Sequence, residues 1–147
     1  METVKQLSVF LENRCGRLDS VLCHLAANGI NIIALSLADS ADYGMLRMMV
    51  SDPEKARLVL KEDGFSAMLT DVICIRVDHA TGSLSKAMKC LLDEGVSVDY
   101  MYAFANGEDA SAVLKCDEPN KALELLSKNH LLVYGPDEAY KSKEKSK

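Results

Sequence analysis

The chain has 147 residues, 48% of them hydrophobic and 27% charged, an ordinary globular balance that can bury a core. Its net charge of -5 argues against a surface built to neutralise phosphates, so nucleic acid is not an expected partner. No apolar run approaches the ~20 residues that span a bilayer, and a membrane is not expected either.

Met1 to Lys5 lead straight into a strand pattern, without the basic and apolar regions of a secretory signal, so cytoplasm is the expected compartment. That strand covers 4–11, where apolar residues alternate with polar ones and Val and Phe recur. A polar turn from Glu12 to Gly16 follows. Leu18, Val21, Leu22 and Leu25 then recur at threes and fours and mark one face of a helix, which Asn28-Gly29 ends. Residues 30–38 form a second strand, Asp39 to Asp42 a turn, and 44–50 a third strand. Asp52 followed by Pro53 is a helix start: the aspartate caps, and proline needs no amide partner at the first position. Ala56, Val59 and Leu60 face inward, and Gly64 precedes a short strand over 65–69.

The sequence then begins again. Residues 72–77 are a strand, and Leu84, Ala87, Met88, Leu91 and Leu92 form a helix face ending at Gly95. Strands at 96–104 and 110–116 form a hairpin about Asn106-Gly107, Glu118-Pro119 opens the last helix, and 131–134 close the copy. A shift of 66 positions, with no gap, pairs Gly16 with Gly82, Leu25 with Leu91, Gly29 with Gly95 and Pro53 with Pro119. Glycines and a proline recur where the chain must turn, which marks a duplication. The expected fold is α+β, two ferredoxin-like βαββαβ modules with antiparallel sheets and helices on one face. The modules cover 1–69 and 70–136, and 137–147 is a basic tail expected to be disordered. Hardly any linker separates Leu69 from Val72. So short a junction makes simple pairing of the two second strands hard to reach. One alternative is a hairpin turn at Thr70-Asp71 that leaves room for strand exchange between copies, and the sequence leaves the arrangement open. Open sheet edges make a homodimer the expected assembly.

Chemistry is sparse. Five cysteines, at 15, 23, 74, 90 and 116, include no C-x-x-C pair, and the three histidines share no metal-ligand spacing. Reduced thiols, no metal and no cofactor are expected. Cys15 precedes a helix start, a setting that can activate a thiol, but no base lies nearby, so no catalytic residue is assigned. His24 reads as a packed helix residue and His130 as a partner of the last helix's end. Met45, Met48 and Met49 suit strand packing or an adaptable interface.

The informative stretch is the first strand-to-helix loop of each copy, Glu12-Asn13-Arg14-Cys15-Gly16-Arg17-Leu18 and Asp78-His79-Ala80-Thr81-Gly82-Ser83-Leu84. The first amides of a helix have no partner within it and sit at its positive end, so they suit a carboxylate or phosphate. Glycine permits close approach of a ligand to the backbone. The other reading is that Gly16 and Gly82 only make tight turns, with Asn13 satisfying local backbone.

Together with Gly29-Ile30-Asn31-Ile32, the first of these loops resembles the ACT domain, whose loose signature is D-R-P-G-x-L, a helix, then G-I-N-I. The resemblance covers both copies, from Val4 to Tyr134. The tandem form resembles small stand-alone proteins of that family, and the pattern is also similar to the regulatory subunit of acetolactate synthase. It implies a non-catalytic regulatory protein that binds a free amino acid where modules meet, with an amino-acid metabolic enzyme as partner. The ligand contacts it implies fall on Asn13, Arg14, Cys15, Gly16, Leu18, Asn31 and Ile32. In the second copy they fall on His79, Ala80, Thr81, Gly82, Leu84, Ser97 and Val98. Asn13 stands in place of the signature's acid, and Cys15 and Thr81 in place of its proline. Glu12 and Asp78 are the nearest replacements for the acid, although side chains alternate along a strand. Because the loops differ between copies, one asymmetric site or two unequal sites are expected. The alternatives are a regulatory subunit that holds no ligand, or a small enzyme using Cys15 or His79.

Overall fold

The computed structural model describes residues 2–12, 14–40, 42–106 and 109–140. The chain divides into two compact units whose main bodies are Lys5–Thr70 and Asp71–Ala139.

In the first unit, strand β1 (Val4–Glu12) is followed by helix α1 (Arg17–Ala27), strands β2 (Ile32–Asp39) and β3 (Tyr43–Val50), and helix α2 (Pro53–Glu62). β3 lies between β1 and β2 and is antiparallel to both, with Leu7 opposite Met48 and Leu35 opposite Met48 from the other side. Alternate residues of β1 (Leu7, Val9, Leu11) and β3 (Leu46, Met48, Val50) share a core with Val21 and Leu25 of α1 and Ala56 and Leu60 of α2. Both helices therefore cover one face of the sheet, as the period-two and period-3.6 patterns require. Pro53 starts α2, and the Asp52 carboxylate accepts the Lys55 amide at 3.1 Å.

Strand β4 (Ser66–Asp78) runs unbroken for 13 residues and neighbours β1 and β6. Separate strands at 65–69 and 72–77 were expected here, with a Thr70-Asp71 hairpin turn as one alternative at the junction; the structure has a single strand instead. Neither residue supplies the positive φ that tight hairpins favour. The Thr70 hydroxyl instead lies 3.3 Å from the Ser8 hydroxyl, which also accepts from the buried Gln6 amide at 3.1 Å. These bonds satisfy buried polar groups on β1.

The second unit continues with helix α3 (Ser83–Leu92), strands β5 (Val98–Asn106) and β6 (Asp109–Cys116), helix α4 (Pro119–Lys128), strand β7 (Leu132–Tyr134) and helix α5 (Pro136–Ala139). β6 is antiparallel to β4 and β5, and β7 pairs with β4. Ile73, Ile75 and Val77 pack with Leu91 of α3 and with Ala122 and Leu126 of α4, so helices again cover one face. The expected ferredoxin-like α+β architecture is present in both units. The hairpin expected about Asn106-Gly107 is present as the β5–β6 pair, and Gly107 itself lies outside the described residues. Asp137 to Ala139, assigned from sequence to the tail, belong to α5 with Ala139 buried, while Lys141 to Lys147 lie outside the described residues.

The duplication extends to individual hydrogen bonds. Lys55 Nζ donates to the Asn28 carbonyl at 2.9 Å, and Lys121 Nζ, 66 positions on, donates to the Glu94 carbonyl at 2.8 Å. Each lysine meets the carbonyl-rich end of the preceding helix, where a cation is favoured.

Cys15 and Cys23 are exposed, Cys90 is half-buried, and Cys74 and Cys116 are buried. Burial pushes the Cys74 thiol up to about 12. Burial likewise raises Cys116 to about 11, with the carboxylates of Asp117 and Asp99 adding to it. Because the thiolate is the reactive species, a thiol reagent on the native protein should modify Cys15 and Cys23 rapidly. Cys74 and Cys116 should react only on unfolding. Equal reactivity of all five, read by mass spectrometry over time, would contradict this placement.

Candidate functional site

Gly16 and Gly82 stand at the N-caps of α1 and α3 with φ of 85° and 84°, a left-handed conformation that glycine adopts without a Cβ penalty. The loops before them close alike. The Arg14 amide donates to the Glu12 carbonyl at 2.8 Å, and the Ala80 amide donates to the Asp78 carbonyl at 2.9 Å. The Arg17 and Ser83 amides then reach back to the carbonyls of Arg14 and Ala80 at 3.3 and 3.2 Å. Among the described residues no side-chain cap bond closes either helix start. First-turn amides are thus left for a ligand or solvent.

In the second unit this loop borders a cleft of about 240 Å³. Val77 and Asp78 at the end of β4, His79 and Ala80 of the loop, and Leu84 of α3 form part of it. Ala103 and Phe104 of β5 and Ala110 of β6 complete the wall. The surface is mainly apolar, with Asp78 and His79 as its titratable groups. Thr81 and Gly82 are exposed beside it, and Leu84 is half-buried against the core. In the first unit, Arg14 is paired with Glu12 at 2.9 Å, Cys15 and Gly16 are exposed, and Leu18 packs against the core. Asn13 lies outside the described residues.

The strand residues implied by the resemblance lie elsewhere. Asn31 donates its amide to the Ser51 hydroxyl at 2.9 Å, and Ser97 donates its amide to Asp117 Oδ1 at 2.9 Å. Ile32 pairs with Val50 and Val98 with Cys116, while Glu12 pairs with Tyr43 and Asp78 with Asp109. From Tyr43 to Val50 the strand spans roughly 23 Å at ~3.3 Å per residue. Within one module, the loop and the start of the second strand therefore sit at opposite ends of the sheet. The structure brings His79, Ala80 and Leu84 together, and it does not bring Ser97 or Val98 to them.

The profile of the family described as an ACT domain pair matches residues 2–142. The chain belongs to that family. Protein BT0572 from Bacteroides thetaiotaomicron is similar in structure, with a TM-score of 0.93 and 40% identity over 96% of this chain and 98% of that one. The regulatory subunit of aspartate kinase from Thermus thermophilus, in a ligand-free form, has a TM-score of 0.64 at 14% identity, covering 87% of this chain and 93% of that one. Its counterpart from Thermus flavus has a TM-score of 0.62 at 15% identity, covering 88% and 94%. At such identities the two aspartate kinase subunits share the fold. No curated protein matches the chain.

For this ACT pair, sequence reasoning missed Ala103, Phe104 and Ala110. The signal was available in the topology. A strand running up, a helix running down and a strand running up again return the far end of β5, rather than its beginning, to the loop. His24, read as a packed helix residue, is half-exposed, with Nε2 in contact with the Asp63 carboxylate and the ring set edge-on to Phe65. Among the described residues no His, Cys, Asp or Glu side chains group as a metal site, and no helix is long and apolar enough to cross a membrane.

Proposed function

We propose that this ACT pair is a non-catalytic sensor that binds a free amino acid and regulates an enzyme of amino-acid metabolism. One observation carries the reading: the cleft at the start of α3, where uncapped helix amides, Asp78 and His79 border an otherwise apolar pocket of about 240 Å³. That volume lies below the several hundred Å³ usual for drug-sized ligands, which suits a free amino acid. The ligand carboxylate is assigned to the first-turn amides. Its ammonium is assigned to Asp78, and its side chain to Val77, Leu84 and Phe104. A second module supplies Asn31 and Ile32, or Ser97 and Val98, since no module brings its own to the loop. Family membership supports this arrangement, with modules at 1–69 and 70–136. A ligand bridging two modules favours the arrangement it bridges, and that preference is what a partner enzyme can read.

Free thiols at all five cysteines suit a reducing cytoplasm. Calorimetric titration of the protein with each standard amino acid is the test. Binding of one of them tighter than millimolar supports the sensor, and binding of none overturns it.

We further propose a homodimer formed through β2. Among the described residues β2 pairs on one side only, with β3, and Leu35 and Leu37 on it are 47% and 46% exposed. An edge of this kind invites another strand, and lysine blocks one. Leu35→Lys with Leu37→Lys should convert a dimer into a monomer in light scattering. A wild-type protein that is already monomeric would refute the assembly.

A further inference from the structure

The second unit holds another cleft, of about 330 Å³, lined by Arg76 and Asp78 of β4, Ser83 and Lys86 of α3, and His130 and Leu131 after α4. Comparison with the first unit shows what has changed there. At the positions 66 residues earlier, Arg17 lies over the Phe65 ring at 4.4 Å from its centre, so a guanidinium and an aromatic face fill the place. The second unit has Ser83 and Leu131 instead, which removes both the cation and the ring. Lys86 takes the position of Ser20, and His130 that of Gly64. One copy thus stacks its own cation inward, while the other leaves a space with cationic groups around it.

His130 bears on this independently. It has φ of 62° and is the one non-glycine residue with positive φ among the described residues, whereas Gly64 holds the matching position at 86°. The position is the left-handed end of α4, where the Leu131 amide donates to the Leu126 carbonyl at 2.9 Å as the Phe65 amide does to Leu60 after α2, and histidine in place of glycine puts an imidazole at the cleft. Arg76 is bound to Asp109 at 2.5 Å, which leaves Lys86 as the ammonium facing the cleft and Asp78 as the carboxylate.

We propose that this cleft binds an oxyanion, the phosphate or carboxylate group of a small metabolite, through the Lys86 ammonium, the Ser83 hydroxyl and the His130 imidazole. It adjoins the amino-acid cleft and shares Val77 and Asp78 with it, but Lys86 and His130 line this cleft alone, and the proposal does not rest on the amino-acid reading. Amide chemical shifts of the whole protein, followed during titration with inorganic phosphate and separately with acetate at constant ionic strength, test it. Saturable shifts at Ser83, Lys86 and His130 are expected, and the tighter of the two ions identifies the group. Lys86→Gln and His130→Gly should each weaken binding by about tenfold, the loss of a charge-assisted contact. His130→Gly repeats what Gly64 already does, so the fold is kept. Ser83→Arg with Leu131→Phe restores the filling of the first unit and should abolish binding. Shifts that never saturate, or that persist unchanged in Lys86→Gln and His130→Gly, overturn the proposal whatever the outcome of amino-acid titration.

Discussion

Leu91→Ala is expected to destabilise the second unit by about 2–5 kcal/mol, the range for truncating a fully buried leucine. Leu91 is 1% exposed and lies in one core with Ile75, Leu114 and Leu126. Replacing its isobutyl group by methyl loses burial and leaves a cavity in the core beside Ile75 and Leu114. The Leu91 carbonyl also accepts the Val96 amide at 3.0 Å, so the chain leaving α3 is anchored at the same residue. Its neighbour supplies the contrast. Leu92 is 74% exposed, and Leu92→Ala should stay within about 0.5 kcal/mol of the parent. Urea unfolding followed by circular dichroism measures both. Similar midpoints for the two variants would mean that α3 does not bury the face described.

That pair also indicates how far the sequence could be read. Spacing placed Leu91 and Leu92 on one apolar helix face, yet only one is buried. Consecutive residues on a helix point about 100° apart, and α3 ends at Leu92, where the face is no longer covered. The duplication and the element order were legible because glycine and proline report backbone geometry directly. Gly16 and Gly82 hold nearly identical left-handed φ, and Pro53 and Pro119 each start a helix. The junction at Thr70-Asp71 was not legible. Hydrophobic patterning on either side is the same for two short strands as for one long one, and the contact that Thr70 makes, with the Ser8 hydroxyl, is to a residue distant in sequence.

The candidate site divides in the same way. His79, Ala80, Gly82 and Leu84 were readable from one loop, since a helix start and its cap are local features. Ala103, Phe104 and Ala110 required the antiparallel register that pairs Ala103 with Ala112 and Ala105 with Ala110. Alanine carries no motif, so its contribution there, which is space, becomes visible only in three dimensions.

Space is therefore what the second large-effect prediction removes. Ala103→Leu should weaken amino-acid binding at the second-unit cleft by about tenfold or more, with little change in stability. The position 66 residues earlier is Leu37, whose Cδ1 lies 3.2 Å from where a Cβ on Gly44 would stand, and Gly44 corresponds to Ala110. A leucine at 103 would thus project toward Ala110 and occupy the volume between β5, β6 and the His79 loop. Ala103 is exposed on its strand, so the added carbons do not overpack a core, and the expected stability change is within about 0.5 kcal/mol. Tenfold corresponds to roughly 1.4 kcal/mol of binding free energy, a modest loss for a ligand whose side-chain pocket is closed. Calorimetry with the amino acid that binds the parent protein, beside urea unfolding of the variant, measures both quantities. Undiminished binding in a folded Ala103→Leu protein would remove the cleft from the mechanism and leave the helix start alone to account for the ligand.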